Sequence, residues 1–249
     1  MFLALQLAAP SAVIPAALAL FLFGIPHGSV QREQSSARRV APGLSYTALY
    51  LLFGVLVFCS WMIEPWPTLL LALGLSAWHF STSSAREPLL IGVFVITASF
   101  MVFPSLTLDV FNALTGRAIA VSDVWLRALG LFGLAAVWWP GGHARCPVRL
   151  LWSAMFLTLH PVAAVACYFA LSHALGETAS LLEQEDDGTT GAVTRTVARI
   201  YGPTSLPALL GAVAVIAGVA LGYVPLPIAA GFAVAFIVPH MLPLERLLR

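Results

Sequence analysis

The polar residues of this chain are largely confined to short stretches between apolar blocks of about 16–25 residues, the length at which a helix crosses a hydrocarbon core. No other feature narrows the choice of fold as much. Charged residues make up 9% of the chain and hydrophobic ones 60%, where soluble domains carry roughly 25% charge. Mean hydropathy is +0.93. The short alternating strands of an outer-membrane barrel are missing, so the backbone must satisfy itself in lipid as helices. The sequence predicts an all-α fold, a polytopic transmembrane helix bundle of seven or eight spans, with residues 1–249 as a single integral membrane domain.

The expected spans are Phe2–Ile25, Leu44–Ile63, Pro67–Phe80, Leu89–Phe103, Val124–Trp139, Arg149–Leu182, Ser205–Tyr223 and Pro227–Leu242. The first lacks the basic leader of a signal peptide and reads as a retained helix. Arg32, Arg38 and Arg39 in one loop, Arg86 in another, and Arg145 with Arg149 in a third set these loops inside and the N-terminus outside. Eight spans then leave Arg246 and Arg249 outside, which the same rule disfavours, and seven would mend it. The segment Arg149–Leu182 is too long for one ordinary span. Pro161 within it predicts a half-helix, a break at His160–Pro161, and a second helix from Val162. The acid-rich stretch Glu183–Gly191 reads as a solvated surface loop, and Thr194–Tyr201 as a short interfacial helix.

Several functions are excluded at this stage. Net charge is +1, so no nucleic-acid footprint exists. Cys59, Cys146 and Cys167 lack metal or redox spacing and read as buried apolar residues. All the basic residues are Arg; with no Lys, the chain cannot form the Schiff base of a retinal-binding rhodopsin.

Ionisable residues at membrane depth are costly and are functional candidates by default. Five of the six histidines stand there: His27, His79, His160, His173 and His240. The sixth, His143, reads as solvated surface. Imidazole is the commonest metal-binding side chain. His173 and Glu177 are four residues apart, on one helix face and able to grip one ion. His27 and His79 end spans that run in the same direction, which sets them at similar depth. Three imidazoles, one carboxylate and open positions suit Fe(II) that binds oxygen. His160 lies 13 residues before His173, about 20 Å along an unbroken helix, so only a break lets it join. The bland alternative has each histidine bonded to a carbonyl or to Ser76, Ser81 or Ser172. Phe23, Trp78, Phe80, Tyr168 and Phe169, with small residues such as Gly24, Gly28, Gly74, Ala77, Ala166, Ala170 and Gly176, either pack helices closely or leave a flat slot for a long apolar ligand.

Four motifs in order, "GIPHG" at 24–28, "SAWHF" at 76–80, "HPVAAVACYFALSHALGE" at 160–177 and "VPHMLPLE" at 238–245, resemble those of the Brp/Blh-type membrane β-carotene 15,15'-dioxygenases of microbes that use rhodopsins. The resemblance implies a multi-helix protein of the cell inner (plasma) membrane. It implies Fe(II), O2, and cleavage of β-carotene or a related carotenoid at the central double bond to retinal, with the product passed to a rhodopsin. By that resemblance the iron ligands fall on His27, His79 and His173. The chain departs from the pattern at Gln31 in place of an acid, at Ser81 in place of the glycine of WHFG, and at Glu177 in place of a second histidine. Glu177 is then the fourth ligand, with His160 and His240 as substitutes, and Phe23, Trp78, Phe80, Tyr168 and Phe169 would contact substrate. Readings of other classes are a non-enzymatic membrane protein that binds haem, pigment or carotenoid, a transporter, and a zinc-dependent membrane hydrolase.

Overall fold

The computed structural model describes residues 6, 12–24, 43–82, 90–138, 146–176, 178–179, 183, 206–242 and 244. Among them every regular element is helical. The α-helices are α1 (Val13–Gly24), α2 (Gly43–Ile63), α3 (Pro65–Thr82), α4 (Ile91–Thr97), α5 (Pro104–Thr115), α6 (Asp123–Trp138), α7 (Cys146–Thr158), α8 (Pro161–Tyr168), α9 (Leu206–Ala220) and α10 (Leu226–Met241). A 3-10 turn over Ala98–Met101 extends α4, and a π-helical turn over Phe169–Ala174 extends α8. The all-α expectation holds. No single helix among the described residues is long and apolar enough to cross a membrane; Ile91–Met101 and Pro104–Thr115 meet that requirement only as a pair, bent by 111°.

Most segments expected as spans contain helices, with shifted ends. Leu44–Ile63 becomes α2 and Pro227–Leu242 becomes α10. Helix α5 falls outside every expected span. Its polar Asp109 and Asn112 break the apolar run that marked the others. Its ends are nevertheless written in the sequence, with Pro104 in the first turn and Gly116 in the left-handed conformation (φ 67) just past the last. The break at His160–Pro161 stands where proline predicts it. His160 is extended (φ −49, ψ 136), and its Nδ1 accepts the Val162 N–H at 3.3 Å, capping α8. The acidic stretch beyond Glu183 and the helix expected over Thr194–Tyr201 lie outside the described residues.

Residue contacts divide the chain into two compact units, Met1–Phe21 with Leu73–His173, and Leu22–Ala72 with Ala174–Arg249. The core of the first unit is apolar and aromatic, with Ile91, Phe94, Phe156, Ala163, Ala164 and Tyr168 fully buried. One side chain ties the end of α3 to the start of α4. The Ser81 hydroxyl donates to the Ala77 carbonyl and accepts the Gly92 N–H. Gly92 lies so close to α3 that a Cβ there would stand 1.8 Å from the Ala77 carbonyl oxygen. Ser81 is thus committed to backbone groups, which removes it from the hydroxyls that could partner a histidine.

In the second unit α2 and α10 run antiparallel. Along the pair the Tyr50 hydroxyl donates to the Phe236 carbonyl. Phe58 stacks on Phe232 at 4.5 Å, and the Trp61 indole N–H donates to the Pro227 carbonyl at 2.9 Å. Gly231 accommodates the Trp61 ring, which an added Cβ would approach to 2.5 Å. The small-residue positions of this pair serve close packing.

Candidate metal centre

Helix α3 presents His79 one turn from its end, and the π-helical turn after α8 presents His173. Both side chains are buried, 8% and 6% exposed. Their Nε2 atoms face each other at 3.2 Å, and the rings meet edge to face with centroids 5.1 Å apart. Both residues belong to the first unit.

The surroundings are aromatic. Phe80 lies edge-on to His173, with centroids 4.8 Å apart, and edge-on to Tyr168 at 5.7 Å. Phe169 stacks on His173 at 6.0 Å, tilted 30°. Trp152 meets Tyr168 edge to face at 5.3 Å. Adjacent residues on a helix point about 100° apart, which separates the fates of Trp78 and His79: Trp78 is 49% exposed and stands outside this cluster. Of the aromatic residues singled out in the sequence, Phe80 and Phe169 lie against the histidines and Tyr168 packs on Phe80, whereas the Phe23 side chain lies outside the described residues.

The π-helical turn has no proline or glycine of its own to announce it. Such turns are rare and concentrate at functional sites. Each i→i+5 bond admits one residue more than an α turn, so the side chains beyond it are rotated by about 100° from α register. Here it falls on the segment that carries His173.

The donor set fits a metal ion. Two imidazole nitrogens at about 2.0–2.1 Å from one ion, in tetrahedral or octahedral geometry, stand roughly 2.8–3.4 Å apart. The observed 3.2 Å lies in that window. An ion held by both Nε2 atoms would require each ring to carry its proton on Nδ1. Without an ion, the same spacing suits one Nε2–H donating to the other Nε2.

The remaining candidate ligands fare differently. His27 and Glu177 lie outside the described residues. His160 caps α8, and α8 with its π-helical extension runs unbroken from Pro161 to Ala174. The break therefore lies before His160's helix, and His160 stays about 20 Å from His173 along it, too far to share an ion. His240 belongs to α10 in the second unit. Among the described residues no group of three or more His, Cys, Asp or Glu side chains is placed to hold a metal. A further residue, Gln6, stands in an apolar run with no motif around it. Its amide reaches the α7–α8 break, and a lone amide among apolar residues was the signal that could have found it.

No curated protein and no solved structure matches the chain significantly. The family model described as beta-carotene 15,15'-dioxygenase matches residues 18–244, nearly the whole sequence and both units, and on that match the chain belongs to the β-carotene 15,15'-dioxygenase family.

Proposed function

We propose that this protein is a membrane-embedded non-haem iron oxygenase that cleaves β-carotene, or a related carotenoid, at its central double bond. The overall change takes one polyene and one O2 to two aldehydes, each retinal keeping one oxygen atom, and needs no other reductant. The observation that carries the reading is the buried Nε2-to-Nε2 spacing of 3.2 Å between His79 and His173, in a chain of this family.

His79 and His173 would hold Fe(II), with His27 and Glu177 completing the set. When bound, ferrous iron supplies the activation of dioxygen that organic side chains do not provide. The protein's share is placement and exclusion. Phe80 and Phe169 stand beside the imidazoles and Tyr168 packs on Phe80, aromatic surroundings suited to a flat polyene, and the burial of Phe80 and Tyr168 keeps water away. No acid or base is required of them. Embedding in lipid is supported by the apolar outer faces of the helices, such as Leu51, Leu52, Val55 and Leu56 along α2, which are exposed. A lipid setting also suits a substrate that dissolves only there, and the aldehyde product would be available to a retinal-binding partner such as a rhodopsin.

The test is turnover with purified protein in detergent. Supplied with Fe(II), β-carotene and O2, the wild type should give two retinals per β-carotene consumed, and His173→Ala none. Retinal formation by His173→Ala at the wild-type rate would refute the assignment.

A further inference from the structure

A helix broken by proline exposes backbone groups that its own turns no longer satisfy. At the α7–α8 break one side chain takes up two of them. The Gln6 Nε2 donates to the Thr158 carbonyl at 3.2 Å, at the end of α7. The Gln6 Oε1 accepts the His160 N–H at 2.6 Å, at the start of α8. A single amide, more than 150 residues away in sequence, therefore bridges the two half-helices. All three residues belong to the unit that holds His79 and His173.

We infer that Gln6 is a positioning residue for the histidine pair, acting through the angle at which α8 leaves the break. From Pro161 to His173 the segment is helical, and at 1.5 Å per residue the span from His160 to His173 is about 20 Å. On a lever of that length, a tilt of about 3° at the break moves His173 by about 1 Å. Displacements of that size matter, since about 1 Å of misplacement costs roughly 100-fold in rate. Proline fixes only its own φ and leaves the angle between the half-helices to other contacts. The Gln6 amide can set that angle because it holds one group on each side of the break. Gln6 touches neither imidazole and takes no part in the chemistry.

The inference rests on the reading of His79 and His173 as a metal pair, so the experiment reads the pair with and without metal. Metal-free full-length protein in detergent, labelled with 15N-histidine, should show an Nε2 signal that both His79→Ala and His173→Ala remove. In Gln6→Leu that signal should shift while helix content stays at the wild-type level. Co(II) binding, followed by its visible spectrum, should weaken roughly 10- to 100-fold, as when a partner that orients a ligand is lost. Gln6→Glu keeps the acceptor for the His160 N–H and should fall between the two. It also carries the test if Gln6→Leu does not fold. If the wild type binds no Co(II) at the pair, the metal reading falls and the histidine signal still decides the role of Gln6. An unshifted signal and wild-type Co(II) affinity in the folded variants, even with a lowered melting temperature, overturn the inference.

Discussion

The two units each contain a helix pair joined by polar side chains, and they use those side chains differently. Between α2 and α10, Tyr50 and Trp61 each send their hydrogen to a backbone carbonyl of the partner helix. That exchange serves packing. Between α3 and the π-helical turn after α8, His79 and His173 direct Nε2 at Nε2. In the first pair each donor reaches an acceptor that only strengthens the helix contact. In the second, two ring nitrogens face each other at 3.2 Å, a spacing that the proposed ion would span. The comparison teaches that a buried polar group in an apolar chain is not by itself a functional signal. What marks function is the chemistry of the atom it faces.

The largest effect expected from breaking this contrast is at the histidines. His79→Ala should lose metal and turnover together, while the α2–α10 pair keeps its packing, as read by unchanged helix content. Gly92→Ala comes next. Its Cβ would stand 1.8 Å from the Ala77 carbonyl oxygen, so α4 must move from the end of α3 near His79. A loss of about 1–3 kcal/mol follows from overpacking, measurable by thermal or denaturant unfolding, with weakened metal binding expected because α3 carries His79, the proposed ligand. Trp61→Phe removes the bond to Pro227 at a cost of about 1 kcal/mol and should leave metal affinity at the wild-type value. Tyr50→Phe is the smallest, roughly 0.5 kcal/mol for a hydrogen bond at an exposed position, with turnover again unchanged. A drop in metal affinity from either of these last two changes would erase the distinction between the pairs.

Much of this was legible in the sequence for physical reasons. Apolar blocks specify helices when strands are excluded, and Pro161 specifies the break. The family motifs marked His79 and His173 as partners, and the structure brings them together. The rest was illegible for equally definite reasons. Helix α5 carries polar residues that hide it from a reading based on apolar length, although Pro104 and Gly116 mark its ends. The π-helical turn has no local signature, because neither proline nor glycine falls within Phe169–Ala174. Which face of α3 points inward decided between Trp78 and Phe80, and the nearly uniform apolar character of that helix could not show it. Nothing local marks the role of Gln6, because its partners lie more than 150 residues away.

The central claim is that His79 and His173 share one ion, and metal stoichiometry tests it most directly. Purified wild-type protein, reconstituted with Fe(II) under anaerobic conditions and freed of excess by gel filtration, should retain about one iron per chain, and His79→Ala and His173→Ala should each retain essentially none. Full iron retention by either single variant would contradict the account.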